Sequence, residues 1–498
     1  MPSGRRKKSK DEAKAALQRE SELAGAKRRR SIAEDVQRTD KRPRIQLEQR
    51  KVRQRIQRPG IPAPTRTSAF VVPDRPSPPW RDDDKEGHFV YELGDNLTSR
   101  YKILSKMGEG TFGRVLECWD RKNKDYVAIK IVRNVQKYRD AAMIELEVLN
   151  TLEKNDVTGQ FHCVSLQEWF EYRGHVCMAF ERLGLSLYDF LRRSGYLPFQ
   201  VNLVRSFGQQ LLESVAYLHE LDLIHTDLKP ENILLVSVEH SKQSSSRSSS
   251  RALPEDSGIK VIDFGSATFK DQYHSSIVST RHYRAPEVIL GLGWSFPCDI
   301  WSVGCILVEL ATGDALFQTH ENLEHLAMME TVLGRIPESM AASASENARN
   351  YFMHRRDRWQ LDWPGGASSR RSVRSVSRLS QLKTLMAKQS DKSLRDELDI
   401  LVDLLKQMLE YDPDKRITAQ QALTHEFFRG EPAPGSLSNG SEWDIDPPVH
   451  AEKEPSASHA EPAEAAVLPK AGKPGSSQAT EGASRPGFAL PQPADEKL

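Results

Sequence analysis

The first ordered part of the chain shows the pattern of apolar and polar positions that is typical of short β-strands. Runs rich in β-branched and aromatic residues, separated by turn-forming residues, indicate strands at Tyr101–Leu104, Val115–Trp119 and Val127–Ile131. They predict a small strand-rich lobe at the start of a folded region that extends from about Phe89 to Phe428.

Helical spacing of apolar residues takes over further along the chain. Between Asp140 and Leu152 apolar side chains recur at the spacing of a helix face, at Met143, Leu146, Leu149 and Leu152. After Leu203 the pattern is mostly helical, as in Phe207–His219, Asp299–Thr312 and Leu398–Leu409. We therefore predict an α+β fold with a small β-rich N-terminal lobe, a larger α-helical C-terminal lobe and a cleft between them.

Both ends of the chain lack this pattern. Residues 1–87 are rich in Arg, Lys, Gln, Pro and Ser, and residues 431–498 in Pro, Ala, Glu and Ser. Such segments bury too little apolar surface to offset the entropy of ordering, so we expect disordered tails around a folded domain at 88–430. Ser- and Arg-rich stretches at about 239–257 and 339–393 are expected to be inserts, the first a solvent loop.

The net charge of +2 conceals an uneven distribution. Residues 1–60 hold 20 Lys and Arg against 8 Asp and Glu, a net charge of +12, whereas residues 431–498 carry −6 and the middle −4. Three basic clusters are typical of nuclear-import signals, at Arg5–Lys8, Lys27–Arg30 and Lys41–Arg44. We expect a nuclear protein that also shuttles to the cytoplasm. The basic head would make only weak, nonspecific contacts with RNA phosphates, and the alternative is a solvated tail without a partner.

The cysteines and the apolar runs indicate the kind of cellular compartment in which the protein is expected. The five cysteines are scattered, without Cys-x-x-Cys pairs, which favours a reducing compartment such as cytosol or nucleus. No apolar run approaches the roughly 20 residues that span a bilayer, and the charged N-terminus is followed by no apolar core of a signal peptide. We expect a soluble intracellular protein without a membrane partner.

A glycine-rich turn lies between the first two predicted strands, in Gly108-Glu109-Gly110-Thr111-Phe112-Gly113-Arg114-Val115. Glycines let backbone N–H groups approach phosphate oxygens, and Val115 is placed to cover a base. Seventeen residues after Gly113, Lys130 in Val127-Ala128-Ile129-Lys130 can reach the same phosphates, with Glu145 on the next helix as its counter-charge. Alone, each feature has a structural alternative, namely an ordinary turn, a surface lysine and a helix-face glutamate.

A second cluster of chemical residues follows in the helix-rich part, in His225-Thr226-Asp227-Leu228-Lys229-Pro230-Glu231-Asn232 and Asp263-Phe264-Gly265. Asp227 can accept or orient the proton of a hydroxyl group, and Lys229 can neutralise charge on a transferring phosphoryl group. Asn232 and Asp263 offer the hard oxygen ligands that Mg²⁺ prefers. A lone Asp or Asn is usually a turn residue, but chance rarely supplies this ordered set.

The four motifs together resemble the active-site signature of protein kinases. Within that group the chain resembles the LAMMER, or CDC-like, kinases of the CMGC group. The similarity is carried by His225-Thr226-Asp227 and by the segments Asp263–Phe269, Ser279–Leu290 and Glu324-His325-Leu326-Ala327-Met328-Met329-Glu330.

The resemblance implies a monomeric dual-specificity kinase that uses ATP and Mg²⁺. Its substrates would be proteins, namely Arg/Ser-rich splicing factors phosphorylated on Ser and Thr, with autophosphorylation on Tyr and regulation of RNA splicing. It also implies an adenine pocket with Phe180 as gatekeeper, the backbone of Glu181 and Leu183 as hydrogen-bonding groups, and Ala128 and Leu234 as walls.

Other residues are expected to be structural. Thr280 with Lys229 matches the pattern of Ser/Thr kinases, Glu287 should form a buried pair with Arg416, and Asp299 should buttress the catalytic loop. Leu326, Met329 and Val332 lie at helical spacing, which favours a packed helix over a catalytic element.

The chain departs from the family pattern at some positions. Thr331 replaces the last Arg of the naming motif, and Thr226 stands where many kinases carry an Arg that binds a phosphorylated loop. A pseudokinase scaffold that binds RNA or splicing factors through the basic head is the alternative function. It would require the loss of a catalytic group, and none is missing.

Overall fold

A six-stranded sheet forms the N-terminal lobe. The computed structural model describes residues 70–71, 81–237, 240–242, 252–254, 256–272, 275–390, 394–395 and 397–429. The strands of the sheet are β1 (Phe70–Val71), β2 (Tyr101–Gly110), β3 (Gly113–Asp120), β4 (Asp125–Val132), β5 (Leu166–Tyr172) and β6 (His175–Glu181). Their order is β1-β5-β6-β4-β3-β2, with β1 parallel to β5 and the other neighbours antiparallel. The three predicted strands are confirmed.

One helix, α1 (Gln136–Asn155), follows β4 directly. Its buried side has the predicted helical spacing and includes Leu146, Leu149 and Leu152. The same side also buries a carboxylate, Glu145, which is only 5% exposed. A charged residue on the apolar side of a helix requires a partner, and that partner lies on β4.

The C-terminal lobe is mostly helical, as expected. Its helices are α2 (Leu187–Arg193), α3 (Val201–Glu220), α4 (Pro286–Leu290), α5 (Pro297–Thr312), α6 (Asn322–Leu333), α7 (Glu338–Ser343), α8 (Glu346–Arg349), α9 (Arg370–Ser377), α10 (Leu382–Gln389), α11 (Leu398–Met408) and α12 (Ala419–Leu423). Every residue of α5 from Cys298 to Thr312 is buried, so this helix forms the centre of the lobe. Among the described residues, no helix has both the length and the apolar character that a membrane crossing requires.

The C-terminal lobe also contains short strands. They are β7 (Leu223–Ile224), β8 (Ile233–Leu235), β9 (His240–Lys242), β10 (Ala252–Pro254), β11 (Ile259–Val261), β12 (Thr268–Phe269), β13 (Phe352–Arg355) and β14 (Arg358–Leu361). β8 pairs with β11 and β7 with β12, in both cases antiparallel. These two pairs bring the loop after β7 and the loop after β11 side by side.

The structure differs from the sequence-based expectations at two places and adds detail at a third. Residues 81–87, expected to belong to the disordered head, are folded against the N-terminal lobe through polar contacts. The first insert is not all loop, because its ends pair as β9 and β10, whereas the run Ser244–Arg251 is outside the described residues. The second insert contains α7 to α10, and Val376, Leu382 and Met386 bury their side chains in the core. The remaining parts of both tails, apart from 70–71, lie outside the described residues.

A buried ion pair ties α4 to the segment before α12. The Arg416 guanidinium donates to both carboxylate oxygens of Glu287, at 2.7 and 2.9 Å, and the two side chains are 0% and 1% exposed. Arg416 also donates to the carbonyls of Pro297, Glu410 and Tyr411. The predicted pairing of Glu287 with Arg416 is confirmed.

Replacement of Arg416 by Ala should destabilise the protein strongly, because it leaves the Glu287 carboxylate buried without its cation. We expect a loss of about 3–5 kcal/mol in the free energy of unfolding, measured by denaturant titration. Lys415→Ala is the matched control, since Lys415 is 75% exposed in its pair with Asp412 and exposed ion pairs contribute little to stability. Equal unfolding midpoints for the two variants would contradict the role of the buried pair.

Candidate active site

The glycine-rich segment is the hairpin between β2 and β3, with Thr111 and Phe112 at its tip. A Cβ atom on Gly113 would lie 2.1 Å from the Ile131 carbonyl oxygen, so packing against β4 requires glycine there. In contrast, a Cβ atom on Gly108 or Gly110 would meet nothing within 4 Å. The open space beside these two glycines is what the approach of a phosphate group to the backbone needs.

The carboxylate of Glu109 is held by cations of the same hairpin. Lys106 and Arg114 both donate hydrogen bonds to it, and they lower its pKa, Lys106 with the larger effect. The Glu109 side chain is therefore committed to the hairpin, and its backbone is the part that a ligand in the cleft would meet.

Lys130 lies between two carboxylates from opposite lobes. Its Nζ donates to Glu145 Oε1 at 2.6 Å and Oε2 at 2.9 Å, and to Asp263 Oδ1 at 3.1 Å. Burial alone would lower the pKa of Lys130, but the Asp263 and Glu145 charges outweigh burial and raise it. Lys130 in turn lowers the pKa of Asp263, whereas burial raises the pKa of Glu145. The counter-charge expected from the sequence, Glu145, is thus the one in contact, not Glu147 or Glu153.

Asp227 and Lys229 meet the segment around Thr280. Asp227 Oδ1 accepts hydrogen bonds from the Thr280 N–H at 2.9 Å and the Thr280 hydroxyl at 2.7 Å. Lys229 Nζ donates to Asp227 Oδ2 and to Thr280 Oγ1 at 3.3 Å. Burial would lower the pKa of Lys229, but the Asp227 carboxylate raises it. The three side chains form one network, in which Asp227 keeps its carboxylate toward the cleft.

Asn232 and Asp263 are the two candidate metal ligands. The Asn232 amide nitrogen donates to the Asp227 carbonyl at 3.0 Å, so the orientation of this amide is set by the catalytic loop. Asp263 has a left-handed backbone, with φ at 64°, and its side chain is 39% exposed. Both residues offer oxygen donors on the loops that β8 and β11 bring together, which fits a hard divalent cation such as Mg²⁺.

Asp299 supports the catalytic loop, the segment His225–Asn232, through hydrogen bonds to the backbone at its start. Its Oδ2 accepts from the His225 N–H at 2.9 Å, its Oδ1 from the Thr226 N–H at 2.9 Å, and Oδ2 also lies 3.2 Å from His219 Nε2. Thr226 has a φ of 67°, an unfavourable conformation for a residue with a Cβ, and its hydroxyl donates to the Ser266 carbonyl at 2.9 Å. The expected buttressing role of Asp299 is confirmed by these contacts.

The candidate adenine pocket lies between β4, β6 and β8. Ala128 pairs across the sheet with Phe180, Leu183 follows β6 and is 5% exposed, and Leu234 lies on β8 in the other lobe. The Glu181 carboxylate accepts from the Lys260 ammonium at 2.6 Å and from the Ser165 N–H at 3.0 Å. The Glu181 side chain is therefore occupied, and the binding of adenine by its backbone stays a prediction.

Two groups near the site had no recognisable signal in the sequence. Arg284 donates from Nε to the Val278 carbonyl at 2.8 Å and from Nη2 to the Ser279 carbonyl at 2.7 Å, which shapes the segment before Thr280. Arg133 donates to the Thr111 carbonyl at the tip of the glycine-rich hairpin, at 3.2 Å. Both bind backbone carbonyls, and such contacts follow no residue pattern.

Comparison with known proteins agrees with this geometry. The family model described as protein kinase domain matches residues 101–428. The chain is 59% identical over 359 residues to the serine/threonine-protein kinase AFC3 of Arabidopsis thaliana, covering 71% of this chain and 88% of that protein. It is 48% identical over 349 residues to the human dual specificity protein kinase CLK4, covering 70% of each chain. The chain belongs to the LAMMER family of protein kinases.

A solved crystal structure of a kinase domain matches the fold, with a TM-score of 0.63, 39% sequence identity and coverage of 69% of this chain and all of that chain. The two-lobed kinase fold is thus confirmed. The protein is a dual-specificity protein kinase, which uses ATP and a divalent metal ion.

The chemistry can be assigned to the residues that meet in the cleft. ATP supplies the phosphoryl group and its metal ion neutralises phosphate charge; Asn232 and Asp263 would hold that ion, and Lys130 with the glycine-rich hairpin would hold the phosphates. Asp227 would accept or orient the proton of the acceptor hydroxyl. Lys229, already within reach of Asp227, would stabilise negative charge beside it. Because Lys130 pairs with Glu145 and Asp263 at once, it also joins α1 to the metal-binding loop.

Asp299→Asn should lower kcat, because an amide offers one acceptor oxygen where two backbone N–H groups now find a carboxylate. A small displacement of Asp227 should reduce kcat by about ten- to a hundredfold, with less change in KM, measured by steady-state phosphate transfer. Asp271→Asn, at an exposed position, is the control and should match the unmodified enzyme. An Asp299→Asn enzyme with normal kcat would show that the loop does not need this carboxylate.

Proposed function

We propose that this kinase phosphorylates Ser and Thr in Arg/Ser-rich splicing factors, autophosphorylates on Tyr, and thereby regulates RNA splicing. The observation that carries the proposal is a complete catalytic set, from Lys130 to Asp263, assembled in a LAMMER-family chain. The charges are compatible with a basic substrate. Residues 61–430 carry a net charge of −4.

Transfer of labelled phosphate from ATP and Mg²⁺ to an Arg-Ser repeat peptide tests this proposal. We expect strong transfer by the unmodified enzyme and none by Asp263→Ala, which lacks a proposed metal ligand. A peptide with each Arg replaced by Gln is the matched acceptor and should be phosphorylated much more weakly, because it lacks the charge that favours the acidic domain.

The other outcomes separate the two parts of the proposal. Transfer to a generic basic protein but not to the Arg-Ser peptide would retain the kinase and remove the splicing-factor assignment. Failure to phosphorylate any acceptor, including the enzyme itself, would favour the scaffold function.

We also propose that the enzyme acts in the nucleus, on the basis of the three basic clusters, which lie outside the described residues. Replacement of the Lys and Arg residues of all three clusters by Gln should move a fluorescent fusion of the full chain to the cytoplasm. The control replaces the basic residues of the same head at Arg50, Lys51, Arg53, Arg55 and Arg58, and should leave the fusion nuclear. Nuclear accumulation of both fusions would refute the assignment of the clusters to import.

A further inference from the structure

Seven residues ahead of the matched kinase domain cross the junction between β4 and α1. This segment, Asp83–Phe89, is called the strap below; it precedes residues 101–428, which the family model matches. Its backbone carbonyls accept from Arg114 of β3, directly after the glycine-rich hairpin, and from Arg133 and Asn134. The last two residues belong to the connection that joins β4, which carries Lys130, to α1, which carries Glu145.

One end of the strap is attached to the sheet through His175, a residue that is fully buried. His175 Nε2 lies 3.0 Å from Asp83 Oδ1, and His175 Nδ1 donates to the Val132 carbonyl at 2.6 Å. The other carboxylate oxygen of Asp83 accepts from the Asn134 amide at 3.1 Å. Asp83 therefore binds both the beginning of β6 and the connection between β4 and α1.

The middle of the strap binds the residues that lead into α1. The Gly87 carbonyl accepts from the Asn134 N–H at 2.8 Å. Gly87 has a φ of 78°, and a Cβ atom there would lie 2.9 Å from Val135 Cγ2, so the close approach requires glycine. At the far end, the Phe89 carbonyl accepts from Arg114 Nη1 at 2.7 Å, directly after Gly113 of the hairpin.

Arg133 connects the strap to the glycine-rich hairpin and to α1. Its Nε donates to the Glu86 carbonyl of the strap at 2.8 Å. Its Nη1 donates to the Thr111 carbonyl at 3.2 Å and to the Tyr138 hydroxyl at 3.3 Å, and its backbone N–H donates to the Phe112 carbonyl at 3.0 Å. One side chain thus contacts the strap, the tip of the glycine-rich hairpin and the first turn of α1.

The hairpin and α1 also touch each other at this point. The Phe112 ring packs edge-on against Tyr138, with centroids 5.7 Å apart, and a small cavity beneath them is lined by Lys130 and Glu145. Tyr138 and Glu145 are seven residues apart, so they lie on the same side of α1. A shift of the first turn of α1 would therefore move Glu145 relative to Lys130.

We propose that the strap and Arg133 form a positioning device that aligns the glycine-rich hairpin with α1 and so keeps Glu145 on Lys130. Arg133 is a positioning residue, because it contacts backbone carbonyls, the Glu86 carboxylate and Tyr138, and none of the side chains assigned to catalysis. Loss of Arg133 should free the hairpin and α1 to move separately, which weakens ATP binding and slows the reaction without unfolding the lobe.

The test uses the full chain with Arg133→Ala and, as the matched control, Arg121→Ala. Arg121 also donates to one carbonyl and one side chain of the segment before β2, Ser99 at 3.2 Å and Asn96 at 2.6 Å, but these contacts involve neither the hairpin nor α1. We expect Arg133→Ala to raise KM for ATP about tenfold and to lower kcat severalfold. Arg133→Lys should recover part of this loss, and Arg121→Ala should stay near the unmodified values.

A second measurement separates positioning from general destabilisation. Amide hydrogen exchange should become faster in residues 108–113 and 136–145 of Arg133→Ala, and remain unchanged in α5. Asp83→Ala, which releases the other end of the strap, should give the same pattern if Arg133→Ala does not fold. The activity is measured with a generic basic acceptor protein, so a wrong substrate assignment would not affect the result. KM and kcat within twofold of the unmodified enzyme, or equal effects of Arg133→Ala and Arg121→Ala, would overturn the proposal.

Discussion

The burial of the Lys130 ammonium is the constraint on which the active site depends. Its side chain is 15% exposed and that of Glu145 6%, and a charge removed from water to this extent is costly unless it is paired and hydrogen-bonded. The pairing needs α1 close to β4, and it needs Asp263 turned toward the N-terminal lobe. The same three charges that serve phosphate and metal binding therefore also determine how the helix and the Asp-Phe-Gly turn are placed.

The catalytic loop solves a similar problem with backbone groups. Thr226 and Asp263 both have left-handed backbones, with φ of 67° and 64°, and such residues persist only where the surroundings hold them. Asp299 holds Thr226 through the N–H group of Thr226 itself and that of the preceding residue, His225, and Lys130 holds Asp263. The strained backbones of Thr226 and Asp263 are thus held by charged side chains, those of Asp299 and Lys130. These contacts explain how residues on loops beside the catalytic groups keep a fixed conformation.

The sequence predicted most of the candidate site and one of its supports, Asp299, but not the strap. Lys130, Glu145, Asp227, Asn232 and Asp263 could be placed because each stands in a motif with defined spacing, and the strands and long helices because apolar residues repeat along them. The strap could not be predicted, because Asp83, Glu86 and Gly87 bind through carboxylate and carbonyl oxygens that leave no apolar periodicity. The helices within the stretch 339–393, expected to be an insert, were not predicted for a related reason. It is rich in Ser and Arg, and its apolar residues, such as Val376 and Met386, are few and widely spaced. These residues pack in the core and anchor its helices.

The segment that ends at Thr280 shows how the acceptor side of the site is formed within the unmodified chain. In many kinases an arginine beside the catalytic Asp grips a phosphate on this loop; here Thr226 takes that position and binds the Ser266 carbonyl instead. Arg284 holds the Val278 and Ser279 carbonyls, and Asp227 then receives both polar groups of Thr280. The bonds that bring Thr280 to Asp227 need no added charge. The geometry around Asp227 is therefore a property of the unphosphorylated chain, and altering it requires breaking contacts of Arg284, Asp299 and Lys229.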